Sequence, residues 1–260
     1  MKAVTIGDNC MDVYLSRQES YPGGNPVNVA VYLKQLGLDV SYIGWVGSDE
    51  YGRQMTEAIG KKGVDLSHLH IKNGHTAITF VELQGNDRVF GEYREGVMEK
   101  FRLTREDLEF AASHQLVHAG IWGRCESCFP QLHAMGLITS FDFADRLERE
   151  IPPELLASVD YPFFSYSQDD AYIREYLKEI QAKGAKAAIA TLGENGALAY
   201  DGERYYKEAA REVAVVDTMG AGDSFIAGFL YGIVQRLPLA GCLEQGTSKA
   251  ARTITYFGAW

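Results

Sequence analysis

Positive charge is in short supply: 25 Lys and Arg stand against 35 Asp and Glu, a formal net charge of −10. That balance argues against a nucleic-acid-binding surface, which needs a basic stripe. Phosphate binding stays open, because backbone N–H groups and a metal hold phosphate locally whatever the overall charge. Cysteine is equally sparse. Cys10, Cys125, Cys128 and Cys242 are scattered, as reduced thiols are, and do not make a disulfide framework. Cys125 and Cys128 have the spacing of half a zinc site, but no second Cys pair or His pair follows at finger spacing. His68 and His70 alternate in a short polar stretch and read as surface or pairing residues rather than ligands. No apolar run reaches the roughly 20 residues of a membrane span, and Met1–Gly7 reads as a buried strand rather than a secretory leader. A cytoplasmic protein with no membrane partner is expected.

With 46% hydrophobic and 23% charged residues, the 260-residue chain has the composition of a folded globular protein, and one domain over 1–260 is expected. Strand-like runs near Ala3–Ile6, Val40–Trp45, Leu116–Ile121, Ile138–Phe141, Tyr161–Phe164 and Ala187–Thr191 alternate with stretches of helical period. The helices fall near Pro26–Leu36, Tyr51–Lys62, Glu106–Ser113, Phe129–Met135, Ala171–Lys183, Ser224–Gln235 and Leu239–Thr255. Gly37, Gly63, Gly136 and Gly184 each follow a helix, as left-handed C-terminal caps do. Such alternation predicts an α/β fold with a mostly parallel sheet covered on both faces. One region departs from it: Thr76–Leu83, a turn over Gln84–Asp87, and Arg88–Tyr93 read as a β-hairpin, to which Val13–Leu15 adds a short strand.

The most specific stretch is Asp217-Thr-Met-Gly220-Ala221-Gly222-Asp223, which opens an apolar helix. A helix N-terminus offers unpaired N–H groups and about half a positive charge, and Gly220 and Gly222 let backbone approach a phosphate closely. Asp223 is placed to accept a proton from a hydroxyl held beside that phosphate, as phosphoryl transfer requires. Capping of the helix is the simpler alternative role. No Gly-x₄-Gly-Lys-[Ser/Thr] occurs, and Phe225 stands where the dinucleotide fingerprint needs its third glycine, so neither a P-loop nor an NAD site is expected.

Asp217–Asp223 resembles the C-terminal motif of the PfkB, or ribokinase-like, carbohydrate kinases, and Gly23-Gly24-Asn25-Pro26-Val27-Asn28 resembles their N-terminal motif. Asn25 followed by Pro26 also reads as an N-cap with proline in the first helical position. The resemblance implies a ribokinase-like three-layer α/β/α sandwich with a small β lid, here built from segments 12–23 and 74–96. A lid so short suggests completion by a second subunit, as a homodimer. The same resemblance implies ATP with Mg²⁺, Asp223 as base, and Gly220, Ala221 and Gly222 as anion hole. Asp12, placed at the end of the first strand, matches the family's substrate carboxylate, with Gly24 and Asn28 as its partners. Thr191, Gly193 and Gly196 match the nucleotide loop. The family's Asn-x-x-Glu region reads Ser167-Gln-Asp-Asp170 here, which leaves Asp170 as a replacement metal ligand acting through water. Asp217, with Met219 and backbone near Gly258, matches a site for K⁺.

Further segments, among them Asn86–Gly91, Glu95–Met98 and Gly258–Trp260, resemble a short member of the family whose substrate is a fructosamine formed on lysine, a glycated amino acid phosphorylated on its 6-hydroxyl. Glu92, beside Glu95 on the expected lid, is a candidate partner for the cationic amine of such a substrate, and a solvated strand face is the plainer reading. Fructose, ribose or a 2-keto-3-deoxy acid are alternative sugars, and a sugar sensor without turnover is the alternative outside catalysis.

Overall fold

The computed structural model describes residues 1–15, 19–84 and 87–260, and for 83–84 and 87–90 the backbone alone. The chain opens with β1 (Lys2–Ile6), β2 (Cys10–Tyr14), β3 (Glu19–Gly23), α1 (Asn25–Gln35), β4 (Asp39–Gly47), α2 (Glu50–Lys61) and β5 (Leu69–Lys72). The hairpin β6 (Ile78–Gln84) and β7 (Asp87–Arg94) follows, then α3 (Arg105–Ala112), β8 (Leu116–Gly120), α4 (Phe129–Ala134) and β9 (Ile138–Asp142). The remainder is α5 (Pro153–Leu156), β10 (Tyr161–Ser165), α6 (Ala171–Gln181), β11 (Ala188–Thr191), β12 (Ala197–Tyr200), β13 (Tyr205–Glu208), α7 (Ala221–Val234) and α8 (Leu239–Thr253).

Nine strands form the central sheet in the order β13-β12-β11-β10-β9-β8-β1-β4-β5. The seven from β11 to β5 run parallel, and β12 and β13 return antiparallel at one edge. Because side chains alternate along a strand, each strand feeds two cores. In β1, Ala3 faces α1, α7 and α8, while Val4 and Ile6 face α4 and α6; in β11, Ile189 takes the first side and Ala188 and Ala190 the second. Helix α1, apolar nearly all round and buried from Pro26 to Leu33, is wedged between sheet and α7. The expected glycine caps are all at positive φ: Gly37, Gly63, Gly136 and Gly184. Among the described residues no helix is long and apolar enough to cross a membrane.

The lid is larger than the sequence suggests. Its four strands run β3-β2-β6-β7, with β2 and β6 parallel and the other pairs antiparallel. Segment 12–23 contributes two strands, not one, and Asp12 stands in the middle of β2, opposite Tyr21, rather than at the end of β1. The short polar run Gly7–Asn9 is the crossing from the central sheet to the lid.

Candidate active site

The C-terminal ends of β1, β8 and β9, the start of α1 and the start of α7 meet beneath the lid, where open parallel sheets place their ligand sites. Asp223 sits at the centre. Asn25 Nδ2 donates to its Oδ1 at 2.8 Å, and Asn28 Nδ2 donates to its Oδ2 at 2.6 Å. Burial pushes the Asp223 carboxyl up, and these two amides oppose the shift by bonding the charged form. Each oxygen keeps a lone pair free for a further proton donor.

Asn25 is not the N-cap of α1. Gly24 occupies that position, at φ 107, and the helix has no side-chain cap. The Asn25 amide instead gives its protons to two carboxylates, Asp223 and Asp142, the latter at 2.9 Å. Its Oδ1 faces His118 Nε2 at 3.0 Å, and His118 Nδ1 faces Ser140 Oγ at 2.9 Å. Burial lowers the His118 pKa to about 3, so the ring is neutral, and the network assigns its proton to Nε2. At the far end Trp260 Nε1 donates to Asn28 Oδ1 at 2.7 Å. A chain of fixed dipoles from Ser140 to Trp260 therefore orients both amides on Asp223.

The glycine motifs act by close approach. A Cβ on Gly24 would lie 2.7 Å from Asn9 Cα and 2.8 Å from the Asp8 carbonyl oxygen, so only glycine lets α1 begin against the β1–β2 crossing. Asp12 is buried, and its Oδ2 would be 3.1 Å from a Cβ on Gly23, which places the carboxylate beside that glycine. Gly220 is the N-cap of α7 in the left-handed conformation, at φ 71. The Ala221 N–H donates to Thr218 O at 3.2 Å and so turns away from the expected anion hole. Among the described residues the N–H groups of Gly220, Gly222 and Asp223 have no such partner, and Gly222 has open space where a Cβ would stand.

Two carboxylates escaped the sequence reading of the site. Asp8, in the β1–β2 crossing, is 7% exposed, and its Oδ1 has no hydrogen-bond partner. Burial lifts its pKa to about 7, the Asp223 charge adding to the rise. Asp142, at the end of β9, is lifted to about 7 by burial, with Asp223 and Asp8 contributing. Among the described residues neither pairs with Lys or Arg. Each is a carboxylate at or just past the C-terminal end of a parallel strand, and Asp142 also opens Asp142-Phe-Ala-Asp-Arg146, which resembles an Asp-x-Asn-x-Arg pattern of some family members with its Asn missing.

Other expected residues lie elsewhere. Thr191 closes β11, with its Oγ1 3.4 Å from Ser165 Oγ. Ser165 also lines a wide cavity of about 630 Å³ with Tyr166, Ser167, Tyr172 and Asp145, which lies beside the Thr191–Gly196 loop rather than at Asp223. Gly193 is at φ 58 with free space beside it, whereas a Cβ on Gly196 would fall 2.0 Å from Glu208 O, so Gly196 serves the packing of β13. Asp170 caps α6: Oδ1 accepts from Ile173 N at 3.0 Å and Oδ2 from the Tyr166 hydroxyl at 3.1 Å. Asp217 accepts from Met219 N at 3.1 Å and from Gly258 N at 2.7 Å, tying the motif to the chain's last residues. Glu92 is exposed and bonded to Arg94 at 2.8 Å and 2.9 Å, while Glu95 reaches Arg124 at 2.6 Å, joining lid to core.

Residues 5–132 and 154–260 match the model of the pfkB family carbohydrate kinases. The chain is 49% identical over 256 residues to fructoselysine 6-kinase of Escherichia coli, covering 98% of both chains, and 35% identical to the fructosamine kinase FrlD of Bacillus subtilis, covering 100% of this chain and 93% of the other. In fold it is similar to Arabidopsis thaliana ribokinase complexed with ribose and ATP, with a TM-score of 0.88 at 21% identity over 99% of this chain and 93% of that one. The chain belongs to the pfkB family of carbohydrate kinases, and its activity is ATP-dependent phosphoryl transfer to a sugar.

Proposed function

We propose that the acceptor is fructoselysine and that the phosphoryl group goes to its 6-hydroxyl. One observation carries this reading: Asp8 and Asp142 add two buried carboxylates beside Asp223 with no ion pair to a Lys or Arg among the described residues. A neutral sugar gives such a cluster no relief, whereas a protonated secondary amine lowers all three pKa values at once. In the furanose form of a fructosamine, C1, which bears the amine, and C6, which bears the hydroxyl, are attached to the two carbons that flank the ring oxygen. A cation therefore arrives close to the reacting oxygen. The similarity to fructoselysine 6-kinase supports the same substrate.

In this mechanism the 6-hydroxyl oxygen attacks the γ-phosphorus of ATP, its proton passes to Asp223, and the bond from phosphorus to the bridging oxygen breaks to release ADP. Asn25 and Asn28 keep the Asp223 carboxylate aimed and ionised. The N–H groups of Gly220, Gly222 and Asp223 stabilise charge on the transferring oxygens, the largest catalytic contribution available to a rigid, dry site. Thr191 and Gly193 would line the nucleotide's path. Mg²⁺ would supply charge neutralisation on the phosphates, and Asp170, whose Oδ1 and Oδ2 each accept one hydrogen bond, would reach it through water. K⁺ would sit by Asp217 and the backbone near Gly258, oxygen donors that suit a hard cation.

The test is a panel of acceptors with ATP, with phosphorus NMR of the products. Fructoselysine is expected to exceed fructose, ribose and 2-keto-3-deoxy acids in kcat/KM by about 100-fold, the value of one buried charge pair, with the phosphate on the 6-oxygen. Preferential turnover of any free sugar would displace this reading.

A further inference from the structure

On the far edge of the central sheet, two imidazoles and a carboxylate converge. His68 Nδ1 and His70 Nε2 each lie 2.8 Å from the same oxygen, Asp107 Oδ1. We propose that His68, His70 and Asp107 form a binding site for a Zn²⁺-class divalent cation, with a fourth coordination position open to solvent. The site is independent of the active site and of the substrate assigned to it.

Each part is built as a metal ligand needs. Residues 68 and 70 are two apart where the chain runs into β5, so both side chains leave the same side of the strand. The His68 ring is stacked on Phe110 of α3, centroids 3.9 Å apart and planes 14° apart, which fixes its rotamer. Asp107 has a side chain only 1% exposed, and one of its oxygens, Oδ1, meets both His68 and His70. Its second oxygen is occupied, accepting from Thr104 N at 2.9 Å and Thr104 Oγ1 at 2.8 Å, within the capping box of α3. That leaves Oδ1 as the ligand and makes Thr104 the outer support that metal-binding carboxylates characteristically have. His68 and His70 are 22% and 31% exposed, which provides a route for the ion.

The donor set selects the metal. Two imidazole nitrogens and one carboxylate oxygen suit Zn²⁺ or Co²⁺, whereas Mg²⁺ demands near-octahedral oxygen ligands and keeps its waters. Tetrahedral bonds of roughly 2.0–2.1 Å set donors about 3.3 Å apart. The present 2.8 Å contacts need open by only about half an ångström to admit the ion. Once bound, it ties the edge strand β5 to α3, adding to the hydrogen bonds on Asp107 and the stacking of His68 on Phe110.

The experiment titrates the full chain, free of any affinity tag, with Zn²⁺ by calorimetry and with Co²⁺ by visible absorption, in the absence of nucleotide. Wild type is expected to bind one tight equivalent that excess Mg²⁺ does not displace, and to gain thermal stability. His68→Ala/His70→Ala should lose that equivalent, and Thr104→Ala should weaken it roughly 10–100-fold. His70→Gln serves if the double variant folds poorly. Equal Zn²⁺ affinity in wild type and the histidine variants, or a tight equivalent that survives in them on the four thiols, overturns the proposal.

Discussion

Asp223→Asn is expected to lower kcat by about 10³–10⁴-fold, the loss that follows removal of a positioned general base together with its charge. Asparagine is isosteric and still accepts the Asn28 or Asn25 proton through its one oxygen, so KM for the sugar should move only a few-fold. Stability should move the other way. A carboxyl whose folded pKa lies above its unfolded value binds more protons in the native state, so its stabilising contribution is greatest at low pH and is lost as pH rises through the folded pKa. Burial raises Asp223 in this way. At neutral pH the ionised carboxylate therefore costs stability, and the neutral amide should raise Tm by roughly a few degrees. Loss of activity with a higher Tm separates a catalytic role from a structural one. Unchanged kcat would show that the proton goes elsewhere.

Gly220→Ala should be nearly as damaging and for a different reason. The residue is at φ 71, where an L side chain costs about 1–2 kcal/mol. Its Cβ would also lie 2.6 Å from Tyr32 Oη and 3.0 Å from Ala259 Cβ. Tyr32 cannot simply move aside, because it is fully buried and its hydroxyl donates to the Ala259 carbonyl. The turn must twist instead, and the N–H groups at the start of α7 lose their aim. A loss of about 10²–10³-fold in kcat is expected, the scale of removing an oxyanion donor, along with about 2–3 kcal/mol of stability. Gly222→Ala is the matched control. No atom lies within 4 Å of its added Cβ, so chemical denaturation should be unchanged, while the methyl group projecting where phosphate arrives lowers kcat/KM. Equal stability losses in the two variants would contradict this division.

Much of the fold was legible because its signals are local and repeated. Apolar runs at β1, β4 and β8 to β11 and helical period at α1 to α4, α6 and α8 lie within one or two residues of their observed limits, α7 starts three residues earlier than expected, and four glycines mark helix ends at positive φ. Asp223 and Asn28 were legible too, since a glycine-flanked carboxylate at a helix start and a paired-glycine motif each occupy a few consecutive positions. What sequence could not supply were partners fixed by tertiary contact. Asn25 looked like a cap because capping is what Asn before Pro does locally; its real partners, Asp142 and Asp223, lie 117 and 198 residues away. Asp8 and Asp142 are ordinary acids until three strand and helix ends bury them together. Asp170 is a motif position that also has a local duty, the N-cap of α6.

The assignment of the acceptor turns on whether Asp8 reads positive charge. The direct measurement is kcat/KM of Asp8→Asn for fructoselysine and for fructose, beside wild type in the same buffer at neutral pH. Removing one member of a buried charge pair should cost fructoselysine about 30-fold or more and fructose no more than about threefold, with Tm raised because Asp8 is already lifted to about 7 by burial. Equal losses for both substrates would contradict the account, leaving Asp8 a structural acid and the amine bound elsewhere.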